Sequence, residues 1–367
     1  MAGHVGPGVR TAHADSRAVV DCDEASAPLS RTAREEAEDR VLARGATRAV
    51  GAGRRNVAEE ADPWRTCFER DRDRILHSPA FRRLAGKTQV FIFPADHQRP
   101  RLTHALEVTQ VATSIARACR LNVALTEAIA LGHDCGHGPG GHTSEDALGV
   151  FLPDGFDHAV WGADVSVADL NLCAQTLDGI RNHSWSRPAP STPEGEVVSW
   201  ADRIAYVCHD WEDAVSAGIV TSTMLPERVL QRCGDSRSHQ LRTFIQGMVR
   251  TVTDTGKVAM DEDLAEALAA FRRCNYDHIY LRPASLTQGA SVTAVLRALV
   301  SHFADHPNRI PGVRAAGGVP AGTEQAMRHA VAYVAGMTDR FALGIAVSEL
   351  GWDPARLPRG VDDLVAR

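Results

Sequence analysis

Long apolar stretches are missing from this sequence of 367 residues. No segment reaches the roughly 18 consecutive apolar residues that a membrane-spanning helix needs. The first 30 residues also lack the charged segment and apolar core of a secretory signal. We therefore expect a cytoplasmic protein that does not enter a membrane.

Paired cysteines are missing as well. The chain has eight cysteines, but none of them forms a CxxC pair. In a reducing compartment, scattered cysteines of this kind are usually small buried hydrophobic residues rather than disulfides or zinc ligands. We therefore assign the cysteines no chemistry.

Lysine is nearly absent, and the chain has no basic excess. Two residues are lysines, so arginine supplies almost all positive charge, and the net charge is -6 at pH 7. Binding of nucleic acid across a whole face normally needs a basic excess, so an anionic ligand requires a local cluster. Residues 65–87, with seven Arg or Lys against three acids, offer one. The alternative for Arg70, Arg72 and Arg74 is a salt-bridged helix surface.

Long runs that alternate apolar and polar residues, the pattern of strands, are missing too. Apolar residues instead recur at steps of three or four in 101–121, as on one face of a helix. Residues 122–134 and 199–218 continue the helical pattern, with Asn122 and Ser199 as expected N-caps. The sequence therefore predicts an all-α fold.

The same patterns predict the domain organisation. Residues 1–50 show no sustained periodicity, so we expect a tail that is flexible or only partly ordered. Residues 51–367 are expected to form a single helical domain.

The segment HDCGHGPGGH, residues 133–142, concentrates histidine and aspartate on glycine-rich backbone. His133 and Asp134 end an apolar helix, which would hold them rigidly. His137 and His142 follow, and Glu145 shares a helical face with His142 if a helix resumes there. A C-terminal histidine and a turn aspartate are common alone, but their combination with further histidines favours a functional site.

Two residues outside this segment complete a possible metal site. His104 lies near the start of the 101–121 helix, where a core histidine is the alternative. Asp202 follows Ser199 by three residues, so the two could instead form a capping box. Two imidazoles and two carboxylates suit a divalent ion such as Mn, Fe, Mg or Co, and leave open positions for water and substrate.

At this point the sequence resembles the HD-domain phosphohydrolases, whose signature is H…HD…D, and within them the deoxyguanosinetriphosphate triphosphohydrolase-like family. The segments that carry the resemblance are 70–91, 101–108, 127–148, 155–158, 170–183, 201–218 and 335–343. The FRRL, KTQVF and AGMTDR motifs within them are specific to this family. The implied fold is an HD-domain helical bundle, with the HD core at about 101–216, and additional C-terminal helices.

The resemblance implies an activity, namely hydrolysis of a deoxynucleoside triphosphate (dNTP) at the α-phosphorus to a deoxynucleoside and intact triphosphate. It implies one divalent metal per HD site, held by His104, His133, Asp134 and Asp202, and allows a further Mg bound with the nucleotide. It also implies a homo-oligomer and a dNTP activator, as in other members of the family.

Further roles follow from the resemblance. The implied catalytic residues are His137, His142, Glu145 and His158, with His142 and Glu145 as a pair that moves the proton. The implied substrate-binding residues are Arg101, Lys87, Gln89, Arg203, Tyr206 and Asp210. Lys87 stands out because a lysine kept in an arginine-rich chain marks a place that needs a compact ammonium. Tyr206 beneath the deoxyribose is expected to help exclude a 2′-hydroxyl.

The sequence departs from the family pattern in two places. Gly138 and Gly140 stand where the family usually has a proline and an aromatic residue, so we expect a looser loop. Ala159 follows His158 where the family commonly has an asparagine, which leaves the support of His158 open.

Two other functions remain compatible with these residues. An HD phosphohydrolase could cleave another nucleotide phosphoester and release orthophosphate. A protein that has lost turnover could sense nucleotides or bind single-stranded nucleic acid, although no basic excess supports the latter. Retention of the ligand candidates and of His142 with Glu145 favours turnover.

Overall fold

Helices make up nearly all regular structure of the chain. The structure, a computed structural model, describes residues 3–5, 8–20, 28–92, 98–314 and 316–358. The helices are α1 Arg31–Val41, α2 Cys67–His77, α3 Pro79–Arg83, α4 Arg101–Ala118, α5 Val123–Gly132, α6 Thr143–Gly149, α7 His158–Trp161, α8 Ala174–Asn182, α9 Pro193–Ser216, α10 Glu227–Cys233, α11 Arg237–Thr255, α12 Glu262–Asn275, α13 Pro283–Asp305, α14 Glu324–Ala335 and α15 Asp339–Leu350. The prediction of an all-α fold is confirmed.

Other regular structure is short. The strands β1, His4–Val5, and β2, Arg10–Thr11, form one antiparallel pair. Gly162–Ser166 and Tyr276–Tyr280 are π-helical. Within the described residues, none of the helices has the length and apolarity to cross a bilayer.

Helices α4, α5 and α9 pack together at the centre and position the site. Their buried apolar residues, such as Val108, Ile129 and Ile204, belong to one core that also receives α11 and α12. Asn122 caps α5 as predicted, since its side chain accepts a hydrogen bond from the Leu125 N–H at 3.2 Å. The rigid α5 then ends at Gly132, directly before the histidine-rich segment.

The start of α9 differs from the prediction. The helix begins at Pro193, and Thr192 is its N-cap, accepting a hydrogen bond from the Gly195 N–H at 3.1 Å. Ser199 lies inside the helix and donates to the Gly195 carbonyl at 3.2 Å, so the expected cap and its capping box with Asp202 are wrong. The proline at the first helical position marks the true start.

Part of the predicted tail packs against the helical domain. Ser30 caps α1, and Glu38 in this helix accepts hydrogen bonds from the Ala49 N–H and the Asn122 side chain. Ala49 is buried in the central core. Helix α1 and the segment that follows it are therefore in contact with the core helices.

The basic segment 65–87 is largely neutralised at the surface. Arg70 and Arg74 pair with Glu59 at 3.3 and 2.7 Å, and Arg72 pairs with Asp73 at 2.7 Å. The structure therefore favours a salt-bridged helix surface over an anion-binding cluster for these three arginines.

The C-terminal helices α13, α14 and α15 build a second core against α6. The side chain of Asp339, the first residue of α15, reaches back to the histidine-rich segment. It accepts hydrogen bonds from the Gly140 N–H at 2.9 Å, the Thr88 N–H at 2.9 Å and the Thr88 hydroxyl at 2.5 Å. The C-terminal region thereby fixes two loops that border the site.

Candidate functional site

A cavity of about 530 Å³ lies between the central helices and the segment 272–289. Its volume is within the range of small-molecule sites, roughly 300–1,000 Å³. Its inner wall comes from α4, α9 and the segment after α5, while the π-helical Tyr276–Tyr280 and the start of α13 form the opposite wall. Polar and charged side chains converge at its floor.

The four residues predicted to bind metal lie close together: His104, Asp134 and Asp202 line the cavity, and His133 is fully buried next to them. His104 Nε2 is 3.1 Å from Asp202 Oδ1 and 3.9 Å from Asp134 Oδ2. His133 Nε2 is 3.5 Å from Asp134 Oδ1 and 3.7 Å from Asp202 Oδ1. Three of them, His104, His133 and Asp202, have ligand atoms close enough to hold one ion.

The ring of His133 is oriented as a metal ligand requires. Its Nδ1 lies 2.6 Å from the Ala130 carbonyl, which can only accept, so Nδ1 carries a proton and, in the neutral ring that a metal ion requires, Nε2 has the lone pair. Nε2 is buried and has no hydrogen-bond partner among the described residues. A buried unpartnered nitrogen is costly, and a cation at this position would satisfy it.

The charges around the two carboxylates keep them ionised. Burial alone would raise the pKa of Asp134, but the charges of Arg101 and His133 lower it well below its usual value. Burial would also raise the pKa of Asp202, but the hydrogen bond with His104 and nearby histidine charges lower it. Both residues can therefore supply negative charge to a divalent ion.

A second group, His137, His142, Glu145 and His158, lies beside the first. His158 Nδ1 is 2.5 Å from Glu145 Oε1, and its ring stacks on that of His137 with centroids 3.8 Å apart. His142 Nδ1 is 3.6 Å from the other oxygen of Glu145. The side chain of His142 is 72% exposed, whereas His137 and His158 are buried.

Glu145 sets the protonation of this group. Burial would raise its pKa, but hydrogen bonds with His142 and His158 lower it strongly. Burial would lower the pKa of His158, but its hydrogen bond and charge interaction with Glu145 raise it above the usual value. His137 Nε2 lies 3.2 Å from Asp134 Oδ1, but burial together with the charges of Arg101 and His158 outweighs this carboxylate and lowers the pKa of His137 well below its usual value.

His183 is a site residue that the sequence reasoning missed. It ends the matched segment 170–183 and follows α8 directly, as His133 follows α5. Its Nε2 lies 3.2 Å from His158 Nε2, and its Nδ1 lies 2.8 Å from the Ile180 carbonyl. Burial, with the charges of His133 and His158, lowers its pKa to about 3. The position at the end of a helix was the available signal.

Arg101 lies between the metal-binding residues and the cavity. Its Nη1 donates to Asp134 Oδ2 at 2.7 Å. Its Nε and Nη2 are buried and have no hydrogen-bond partner in the described parts of the chain. One nitrogen of the guanidinium is thus paired with Asp134, and two further donors have no described hydrogen-bond partner.

The other predicted substrate contacts divide into two sets. Gln89, Arg203, Tyr206 and Asp210 line the cavity. Lys87 does not: it is buried, and its ammonium donates to the carbonyls of His137 and of Ala335, the latter at 3.0 Å. Burial lowers its pKa to about 8. The prediction that Lys87 contacts substrate is corrected accordingly, since the side chain supports the histidine-rich segment from behind.

The opposite wall of the cavity supplies residues that no sequence pattern indicates. The Tyr280 hydroxyl donates to Asp210 Oδ2, and Arg272 Nε donates to the Tyr206 hydroxyl at 2.8 Å. Burial raises the pKa of Asp210 to about 7. These contacts join residues about 70 positions apart in the chain, and local patterns do not reveal such pairs.

The two unusual glycines do not produce the looser loop that we expected. Gly138 donates its N–H to the Ser144 hydroxyl at 3.0 Å, and residues 133–141 are buried throughout. Gly140 has φ of 75°, and a Cβ there would lie 2.5 Å from a methyl group of Val292. The glycine allows α13 to approach the segment closely, so the missing side chain improves packing.

Comparisons with known proteins agree with these motifs. Residues 101–207 match the HD domain, and residues 258–346 match the phosphohydrolase-associated domain. A deoxyguanosinetriphosphate triphosphohydrolase-like protein of Caldanaerobacter subterraneus subsp. tengcongensis is 39% identical, over 84% of this chain and 92% of its own. A protein with the same name from Clostridium perfringens strain 13 is 39% identical, over 78% of this chain and 87% of its own. Another, from Syntrophus aciditrophicus, is 34% identical, over 85% of this chain and 94% of its own. The solved phosphohydrolase structure from Bacteroides thetaiotaomicron aligns at a TM-score of 0.46 and 15% identity, over 75% of this chain and 68% of that one.

Proposed function

The chain belongs to the deoxyguanosinetriphosphate triphosphohydrolase-like family of HD-domain phosphohydrolases, and we propose that it hydrolyses dNTPs at the α-phosphorus to a deoxynucleoside and triphosphate. The observation that carries this proposal is the position of Arg101. Arg101 lines a nucleotide-sized cavity and is hydrogen-bonded to Asp134, one of the metal-binding candidates, while two of its guanidinium nitrogens have no hydrogen-bond partner in the described residues.

The donor set fits one divalent ion. His104, His133, Asp134 and Asp202 would hold it, because the two carboxylates are ionised and the buried Nε2 of His133 has no other described partner. When bound, such an ion polarises a phosphoryl oxygen and lowers the pKa of a bound water. Mn, Fe, Mg and Co all suit these nitrogen and oxygen donors, and a further Mg can enter with the nucleotide.

The arginines supply charge for the phosphates. A guanidinium presents a planar fork of donors that matches phosphate oxygens. In this role, Arg101 binds the phosphate nearest the metal with its free Nε and Nη2, while Arg203 on α9 binds further phosphate oxygens. These hydrogen-bond donors are already in position, so they stabilise the negative charge that builds up on the phosphoryl group in the transition state.

The histidine and glutamate group handles the proton. Hydrolysis at the α-phosphorus leaves an alkoxide on the 5′-oxygen of the sugar, which needs a proton. His142 is exposed at the cavity and coupled to Glu145, so this pair delivers the proton, as the sequence analysis predicts. His158, hydrogen-bonded to the other oxygen of Glu145, and His137, stacked on His158, hold the pair in place.

The far half of the cavity receives the nucleoside. Tyr206, Asp210 and Gln89 line it, and Asp210 Oδ1 is buried and has no hydrogen-bond partner within the described residues. A sugar hydroxyl could donate to this oxygen. Tyr206 offers an aromatic face beneath the sugar, which supports a preference for deoxyribose.

The family resemblance adds three expectations to the proposal. They are a cytoplasmic location, assembly into a homo-oligomer and activation by a dNTP bound at another position. Sedimentation of the purified protein with and without nucleotide would test the assembly, and activity in dNTP mixtures would test the activation.

A product assay tests the function directly. Purified protein is incubated with each of the four dNTPs, singly and mixed, with Mg, Mn or Co, and the products are separated by anion-exchange chromatography. We expect triphosphate and deoxynucleoside in equal amounts. Asp134→Ala should abolish the reaction, whereas Asp154→Ala, which removes an exposed carboxylate, should not.

Other outcomes would support the other candidates. Release of orthophosphate or pyrophosphate would indicate cleavage of another phosphoester bond. Nucleotide binding without any product would indicate a sensor without turnover. Full activity of Asp134→Ala would contradict the assignment of the metal-binding residues.

A further inference from the structure

Arg203 is a cavity-lining arginine without an acidic partner in the described residues. Arg101 is paired with Asp134, and Arg272 donates to the hydroxyls of Tyr206 and Tyr276. By contrast, the guanidinium carbon of Arg203 lies 3.8 Å from the ring centroid of Trp185. An aromatic face, rather than a carboxylate, therefore holds this cation.

Trp185 is itself fixed by α9. Its Nε1 donates to the Ser199 carbonyl at 3.2 Å. Its ring also meets the ring of Trp200 edge-on, with centroids 4.8 Å apart. Ser199, Trp200 and Arg203 are neighbours on one helix, so the tryptophan after α8 folds back onto the helix that carries the arginine.

The exposure of Trp185 is consistent with a role at the cavity. The residue is 49% exposed although its indole is hydrogen-bonded and stacked, and it lines the cavity beside Arg203. A tryptophan used only to fill a core would be expected to bury more of its surface. Trp185 instead presents one face to a cation at the mouth of the site.

A cation–π contact with an aromatic ring leaves the positive charge of the arginine available to an anionic ligand. A carboxylate partner would neutralise the arginine and compete with an anionic ligand for its donors, whereas a cation–π contact restrains the side chain without neutralising it. Restraint before binding lowers the entropy that the ligand must overcome. The arrangement is suited to an anion with several phosphate groups.

We propose that Trp185 is a positioning residue that holds the Arg203 guanidinium ready for phosphate oxygens of the triphosphate chain. The inference rests on the proposed function, because it takes the ligand to be a nucleoside triphosphate. It adds to that function a residue that acts on phosphate binding through Arg203 and does not touch the reacting atoms.

Inorganic tripolyphosphate, the expected product, probes this step without turnover. Its affinity is measured by isothermal titration calorimetry with the metal-loaded protein. We expect Trp185→Ala to weaken binding about fivefold, the scale of a partly exposed cation–π contact. Trp185→Phe, which keeps an aromatic face, should restore most of the affinity. Trp64→Ala removes a tryptophan of similar exposure outside the cavity and should bind as the unaltered protein does.

A double-mutant cycle separates positioning from direct contact. If Trp185 acts through Arg203, Trp185→Ala should cause no further loss in an Arg203→Ala background. In steady-state assays with a dNTP, Trp185→Ala should raise KM about fivefold with little change in kcat, the pattern of lost ground-state binding. A merely destabilised fold would lower kcat with the amount of folded protein and would not be restored by Trp185→Phe.

Three results would overturn the inference. They are no binding of tripolyphosphate by the unaltered protein, unchanged affinity in Trp185→Ala, and an equal loss in the Arg203→Ala background. The last result would mean that the indole contacts the ligand itself. Failure of the proposed function is distinguishable, because it would show as missing triphosphate in the product assay even if tripolyphosphate binding depended on Trp185.

Discussion

At the residue scale, the protonation of His158 depends on one neighbour. Glu145 accepts a hydrogen bond from His158 Nδ1 at 2.5 Å and opposes the effect of burial, so that the pKa of His158 lies above its usual value. Because a histidine near its pKa can exchange a proton at physiological pH, the pH dependence of the reaction should report on this pair.

Glu145→Gln tests that link. The substitution removes the charge that raises the pKa of His158, so the imidazolium should lose its proton at a lower pH. We expect protonated His158 to hold Glu145 in place, so activity should fall as pH rises through this pKa. In the variant kcat should be lower at every pH, because Glu145 belongs to the proposed proton-delivering pair, and the fall in kcat with rising pH should move to lower pH. Glu36→Gln, at an exposed position, is the control, and an identical profile for Glu145→Gln would contradict the link.

The proposed selection of deoxyribose over ribose depends on a single residue, Tyr206. Tyr206→Ala should narrow the difference in kcat/KM between dGTP and GTP, because the ring proposed to lie beneath the sugar is gone. Tyr206→Phe keeps the ring but loses the hydroxyl that accepts from Arg272, so discrimination should be largely retained. Unchanged discrimination in Tyr206→Ala would show that another residue excludes the 2′-hydroxyl.

At the element scale, the packing of α13 on the histidine-rich segment depends on Gly140. Its φ of 75° and the missing Cβ are both required, since a Cβ would lie 2.5 Å from a Val292 methyl group. Gly155 has the same φ of 75° with nothing within 4 Å of a Cβ. The chain thus contains a matched pair of glycines that separates backbone strain from steric conflict.

Comparison of Gly140→Ala with Gly155→Ala uses this pair. Gly155→Ala should lower the free energy of unfolding by about 1 kcal/mol, the cost of a left-handed alanine. Gly140→Ala should lower it by roughly 2–4 kcal/mol, because α13 must also shift. Urea denaturation monitored by circular dichroism measures both values. Equal losses of unfolding free energy in the two variants would mean that the histidine-rich segment accommodates the added methyl group without displacing α13.

The elements also show where prediction from sequence succeeds and where it fails. The period of apolar residues and the Asn122 cap predicted α4 and α5 closely, because both signals are local. Ser199 was misread as a cap because a serine inside a helix can bond to the carbonyl four residues back. Trp185 over Arg203 and Tyr280 on Asp210 depend on chain segments meeting in three dimensions, which no local pattern specifies.

At the scale of the whole molecule, the phosphohydrolase-associated region completes the site. Its residues Leu264 and Phe271 belong to the same core as Val108 of the HD region. Asp339 accepts hydrogen bonds from Thr88 and Gly140. We therefore expect the two matched regions to unfold together, in one cooperative transition.

Asp339→Ala tests this coupling. It leaves three buried donors without their acceptor, so the free energy of unfolding should fall by about 3 kcal/mol or more. Metal content after dialysis should fall as well, because the segment that carries the site loses its support. Asp353→Ala removes a carboxylate that accepts one exposed N–H and should change either quantity little. If Asp339→Ala lowered the free energy of unfolding but left the metal content unchanged, metal binding in the HD region would not depend on this contact with the phosphohydrolase-associated region.

The contact between Asp339 and Gly140 also has a meaning for synthesis of the chain on the ribosome. The two residues are 199 positions apart, so at roughly 5–20 residues per second Gly140 is made some 10–40 s before its acceptor exists. During that interval the histidines can meet cellular metal ions without the support that later encloses them. An ion bound by the proposed metal site would then reflect metal availability during translation as well as the affinity of the finished fold.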